Sequence, residues 1–180
     1  RLQIERSIVG PIRLPDTKVE LVISDSIIDA PEPDSDVTQK LALVGPIIRL
    51  ERVTVFGRVR VSEISLAENV LFTAPVTVTR RDAGRMHHCY LPAGSKTPFR
   101  ESCQDGSPQL QPAFTARRYG EPGYAQLSLA CPAEIRAGGT MGAEIGVFHH
   151  LRQPQREAAL LAQLEEYVRF GLETGLIYVT

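Results

Sequence analysis

No stretch of this chain is apolar for long enough to cross a membrane, because a span needs about 18 such residues and polar or charged residues break every apolar run well short of that. Neither sign of charge is in excess. The 20 Lys and Arg and 21 Asp and Glu leave a formal net charge of -1, and the basic residues are scattered rather than gathered on one face, which argues against nucleic acid as a partner. The opening residues, RLQIERSIVG, lack the charged-then-apolar order of a signal peptide. Cysteine is scarce and odd in number. Cys89, Cys103 and Cys131 are read as small buried hydrophobes in a reducing compartment, whereas in an oxidising one Cys89 and Cys103 could close a modest loop.

Several kinds of chemistry are missing as well. His87-His88-Cys89 with Cys103 and Cys131 supplies atoms that zinc would accept, yet no C-x-x-C or H-x-x-x-H spacing is present. Gly138-Gly139-Thr140-Met141-Gly142 is glycine-rich without the Lys and hydroxyl residue that complete a phosphate loop, and is read as a flexible turn. His149-His150 stands near no Ser or Cys nucleophile pattern and is read as surface at a helix entry. No cofactor, metal or catalytic residue is therefore expected.

What the chain does contain is a short phrase repeated four times. Leu2-x-Ile4-x-x-Ser7-Ile8-Val9 returns as Leu21-x-Ile23-x-x-Ser26-Ile27-Ile28, as Ile48-x-Leu50-x-x-Val53-Thr54-Val55, and as Ile64-x-Leu66-x-x-Asn69-Val70-Leu71. The intervals are uneven: 19 residues from Ile4 to Ile23, 27 from Ile23 to Leu50, 16 from Leu50 to Leu66. A fixed strand phrase with variable spacers predicts a parallel β-helix, in which each coil returns to the same lateral position while its loops swell outward. Leucine-rich repeats would need a longer consensus and steadier spacing. The predicted fold is thus all-β, a right-handed parallel β-helix over residues 1–80, followed by a loop-rich segment packed on the solenoid over 81–150 and a C-terminal helix and short strand over 151–180. These form one structural domain, since 180 residues with a hydrophobic fraction of 43% suffice for a continuous core. The chain begins at Arg1 inside a repeat, so further coils or a cap are expected upstream.

Within each phrase the two-residue interruption is read as an exposed bend, followed by an inward Ser7, Ser26, Val53 or Asn69. Stacking the bends places Arg6, Asp25, Arg52 and Glu68 in a ladder of alternating charge. Asp25 and Glu68, two coils and so about 10 Å apart, have the separation of an inverting glycosidase pair. An Arg one coil away from each would depress a pKa that a catalytic acid needs raised, and a surface ion ladder is the preferred reading. Val76 and Val78 are read as a fifth, irregular coil. Asp29-Ala-Pro-Glu-Pro-Asp-Ser-Asp36 is a proline- and acid-rich loop between coils.

After Thr79 the phrase stops, and Gly and Pro punctuate a segment anchored by Phe99, Phe114, Tyr119, Tyr124 and Phe148. Arg117-Arg118-Tyr119 is a candidate contact for an acidic partner or a sugar. Pro154 suits a first helical turn, and Ala158, Leu161, Leu164, Val168 and Leu172 follow at helical spacing. An amphipathic helix is predicted over Gln153 to Glu173, stopped at Gly175, then a strand over Leu176 to Val179. The helix is expected to cover an open solenoid end or to dock on a neighbouring subunit.

The wording of QPAFTARRYGEPGYAQLS and VFHHLRQPQREAALLAQLEEYVRFGLETGLIYVT, with ERSIVG and SDSIIDA, resembles a group of uncharacterised bacterial proteins that carry right-handed β-helix repeats and are encoded among genes for contractile phage-tail-like or injection particles. The resemblance covers most of the chain and implies no catalytic residue. It implies a structural or host-contacting part of a tail-like assembly, cytoplasmic or released, with protein subunits or upstream parts of its own chain as partners. The competing expectation is a carbohydrate-active β-helix, a polysaccharide lyase or glycoside hydrolase, or one that binds glycan without cleaving it. Binding of that kind would need Tyr119 and Tyr124 exposed together.

Overall fold

The computed structural model describes residues 1–15, 19–30, 41–169, 172–173 and 175–176. The loop expected over Asp29 to Asp36 lies outside these residues except for Asp29 and Ala30, and so does the final strand except for Leu176. Strands dominate: β1 (Leu2–Glu5), β2 (Ile8–Val9), β3 (Ile12–Arg13), β4 (Glu20–Asp29), β5 (Leu41–Phe56), β6 (Arg58–Glu68), β7 (Leu71–Phe72), β8 (Val76–Val78), β9 (Arg85–His87), β10 (Tyr90–Leu91), β11 (Phe99–Glu101) and β12 (Gln104–Asp105). They form one curled sheet whose ladder pairs are parallel throughout.

The repeated phrases are neighbours in that sheet. Leu2 pairs with Leu21, Leu21 with Ile48 and Ile48 with Ile64, while Ile4 pairs with Ile23 and Ile23 with Leu50. Branched apolar residues at every second position suit a pleated strand buried on one face, and Leu21, Ile23, Ile48, Leu50 and Ile64 are fully buried. Each contributes roughly 1.5–3 kcal/mol by leaving water. The other side of the curl is built by Ile12 on Leu43, Leu43 on Val59 and Val59 on Val76. Both sides feed one core that contains Ile23, Leu50 and Val55 together with Leu43, Val59 and Val76.

The fourth phrase departs from the expected register. After Ile48–Ile64 the pairing shifts by one residue, so that Leu66 lies beside Arg49 and Ala67 beside Leu50. Leu71 then lies beside Thr54 and Phe72 beside Val55. Ser65 is the extra residue of this bulge, and its hydroxyl donates to the Ile48 carbonyl at 3.2 Å. Gly84 packs over the same place: with φ at +82°, a Cβ there would fall 1.7 Å from the Ile64 carbonyl oxygen.

The parallel stack also runs past Thr79, where the repeated phrase stops. Leu66, Ala67 and Glu68 pair with Arg85, Met86 and His87, which pair in turn with Phe99, Arg100 and Glu101. The remainder is a loop-rich flank containing α1 (Ala133–Arg136), two 3-10 turns at Thr140–Gly142 and Val147–Leu151, and the helix α2 (Gln153–Tyr167). The helix ends at Tyr167, earlier than the spacing predicts, because Val168 is already extended. None of its residues is buried, and Leu160, Leu161 and Tyr167 are exposed. It is held to the flank by Arg136–Glu157 and by Gln155 Nε2 donating to the Met141 carbonyl.

Candidate functional site

One side of the stack is a column of six bends. Arg6, Asp25, Arg52, Asn69, His88 and Ser102 all adopt left-handed backbone conformations, with φ between 47° and 54°. The bulge decides the fourth member. It brings Asn69, a residue that tolerates this conformation, to the place where the sequence put Glu68. Glu68 instead stands in the adjacent column, between Glu51 and His87. After each bend the chain turns inward, and four side chains there close the turn on the carbonyl two residues back: Ser7 on Glu5 at 2.8 Å, Ser26 on Ser24 at 2.6 Å, Cys89 on His87 at 3.2 Å and Cys103 on Glu101 at 3.4 Å.

Asp25 is clamped by the layer above it. Arg52 Nε donates to Oδ1 at 2.6 Å and Nη2 to Oδ2 at 2.9 Å. This hydrogen-bonded guanidinium holds the Asp25 carboxyl below the ordinary carboxylate range. Asp25 and Glu68 therefore do not form an acid and base pair: one is an ionised partner of Arg52, and the other belongs to a different column.

The flank packs on the outer face of the second strand of each layer. Ile27 is covered by Ala125 and Val147, Leu71 by Cys131, Ile135 and Ile145. The bend column grips the flank directly. The Thr140 amide donates to Asn69 Oδ1 and Asn69 Nδ2 to Thr140 Oγ1, both at 2.8 Å, while His88 Nδ1 bonds the Gly138 carbonyl at 3.1 Å. The glycine-rich run read as a flexible turn is thus a latch. Next to it, Val147 N donates to Thr54 Oγ1 at 3.1 Å, and the approach requires Gly146, where φ is +118° and a Cβ would lie 2.7 Å from that oxygen.

Where the flank runs out, a cleft of about 690 Å³ opens between it and the first layers, with Ile8, Ile27, Val147 and Phe148 as apolar floor and Arg6, Asp25, Tyr124 and His150 at its polar rim. Tyr124 donates to Asp29 Oδ2 at 2.6 Å. Burial and that carboxylate raise the phenol well above its ordinary value. Tyr119 meets Tyr124 edge to face at 5.8 Å and is 69% exposed. Arg117 lies over the rings of Phe56 and Phe114, at 5.5 and 5.7 Å, and Arg118 is exposed in the next turn. Of the five residues singled out from sequence, Asp25 lines this cleft and Tyr119 stacks on its rim; Glu68 lies in the column beside the bends, Arg117 is engaged with two rings, and Arg118 is solvated. The groups present can bind through apolar contact, aromatic edges and fixed charge. Asp25 itself is held ionised by Arg52 and is not available as a general acid.

A second cleft of about 490 Å³ lies within the flank, lined by Phe114, Leu127, Leu129, Leu151, Arg136, Glu144 and Glu157 among others. Glu144 is 7% exposed, and burial raises its carboxyl to about 7 against the opposing pull of Arg136. Sequence inspection passed over Glu144, because an isolated glutamate in a Gly-rich stretch carries no local mark of burial. Among the described residues no group of three or more His, Cys, Asp or Glu side chains is placed to hold a metal ion. His87 bonds Glu101 at 3.0 Å, and Cys89 points into the core. No family model, curated protein or solved structure matches the chain.

Proposed function

We propose that this chain is a non-enzymatic structural or binding module of a larger assembly, built as a right-handed parallel β-helix whose first layer is continued by a further layer. The observation that carries this reading is the difference between the two ends of the stack. In the last layer the positions equivalent to Met86 and Leu91 are Arg100 and Asp105, which pair with one another. Arg100 also donates to Thr97 Oγ1 at 2.6 Å and to the Ser95 carbonyl at 3.0 Å. Charge on an end layer blunts an edge against further pairing. The first layer carries no such device. Leu2 is 44% and Ile8 50% exposed, against full burial of Leu21 and near-full burial of Ile27 one layer in, and Ile4, Val9, Ile12 and Leu14 are only partly buried. A further β-layer, from upstream residues of its own chain or from a neighbouring subunit, would cover them and satisfy the open strand edge. The resemblance in wording noted above is the ground for placing that assembly in a contractile tail-like particle.

The test is recovery of the tagged chain from cells that produce it. The expected result is elution in a complex far larger than 19.8 kDa, lost when Leu2 and Ile8 are both changed to Glu. A free monomer in the extract would overturn the reading. A second reading, glycan binding without cleavage, rests on the exposed ring of Tyr119 beside the Asp25 cleft, since Tyr124, expected to be exposed with it, is half-buried with its hydroxyl on Asp29. It expects oligosaccharide-induced shifts in the tyrosine resonances that Tyr119→Ala removes; unchanged spectra across polysaccharide classes would count against it.

A further inference from the structure

The flank holds a carboxyl group that opens only onto a cleft. Glu144 is more than nine-tenths buried, and among the described residues its carboxyl feels Arg136 and Glu157 only through space. The nearest cation is already taken: Arg136 Nη2 donates to both carboxylate oxygens of Glu157, at 3.2 and 2.9 Å. Its oxygens are not sealed in packed core; the group faces an open cleft of about 490 Å³. That cleft has apolar walls from Phe114, Leu127, Leu129 and Leu151 and a further amide at Gln126.

We propose that this cleft binds a small primary alkylamine, its ammonium seated between Glu144 and Glu157 and its stem against the leucines. An ammonium group offers three donors, enough for Glu144, for the lone pairs of Glu157 that Arg136 leaves free, and for Gln126. A short stem matches the apolar walls better than a hydrated inorganic ion, which would need several oxygen ligands. The charged and titratable groups facing Glu144 are Arg136 of α1, Glu157 of α2 and Cys131 of the preceding turn. Since burial raises Glu144 to about 7, the carboxylate that would bind the cation is scarce at pH 5.5 and dominant at pH 8, while an alkylamine stays protonated throughout.

The experiment is a calorimetric titration of n-butylamine hydrochloride into the intact chain at both pH values, with n-butanol as the neutral control. The expected result is about 30-fold tighter binding at pH 8 than at pH 5.5, following the ionised fraction, no binding of n-butanol, and loss of amine binding in Glu144→Gln. Equal affinity at the two pH values, butanol binding as tightly as butylamine, or undiminished binding by Glu144→Gln would each overturn the proposal. The pH comparison needs no variant, so it stands even where the substitution disturbs folding.

Discussion

At the scale of the residue, the stack depends on bends that individually cost free energy. A left-handed conformation costs a residue with a side chain roughly 1–2 kcal/mol, and six stacked positions adopt it. Side-chain contacts between layers offset that cost, most visibly the two hydrogen bonds from Arg52 to Asp25. Asn keeps the conformational tolerance of Asp but not its charge, so Asp25→Asn isolates the ion pair. It should lower stability at pH 7 by about 1 kcal/mol, the scale of a well-formed, partly exposed pair. Because the folded carboxyl is held below its ordinary value, the contribution is present above the ordinary carboxylate range and lost as pH falls through the folded pKa. Urea unfolding of the two proteins should therefore differ at pH 7 and converge near pH 2. The thiols give a second prediction. The neighbouring Cys89 thiol lowers Cys103 to about 7, whereas burial raises Cys89 and Cys131. In the folded chain an aromatic disulfide reagent should modify Cys103 first, at a rate that rises with pH through about 7 and vanishes in Cys103→Ser. Faster labelling of Cys131 would contradict this.

At the scale of the element, the seam between sheet and flank matters most. Gly146 lets Val147 reach Thr54, so Gly146→Ala meets both a steric clash and a disfavoured φ. A loss of about 2 kcal/mol is expected, with faster hydrogen exchange at the Val147 amide while amides within β4 and β5 stay protected. By contrast, Leu160→Ala and Leu161→Ala in α2 should leave stability within about 0.5 kcal/mol, because neither side chain is buried. How far these elements were legible varies with the physics behind each. The first three phrases could be aligned from sequence because their apolar pairs fall at the same offsets. The fourth scans in two frames, Ile64-x-Leu66 or Ala67 with Val70 and Phe72. The choice rests on Ser65 being extruded and on Asn69 suiting a left-handed bend, which apolar spacing does not report. Met86-x-x-Cys89-x-Leu91 continues the pattern, but its polar neighbours His87 and His88 hid it. The clefts were less legible still: Asp25 could be named from the ladder, whereas Glu144 and the Asn69–Thr140 latch join residues far apart in the chain.

At the scale of the whole molecule, one parallel sheet curls around a single core, with charge closing its last layer and apolar side chains open at its first. The flank adds two clefts at its side. All of it rests on like stacking upon like in parallel register. The most direct measurement is a set of methyl–methyl NOEs from a sample labelled at Ile, Leu and Val, well within reach for a chain of 19.8 kDa. The account expects an unbroken series from Leu2 to Leu21, Ile48 and Ile64, a second from Ile4 through Ile23 to Leu50, and contacts across the core from those layers to Leu43 and Val59. Cross-peaks joining Leu2 to Ile28 in place of Leu21, as antiparallel pairing would give, or no contact between Leu21 and Ile48, would contradict it.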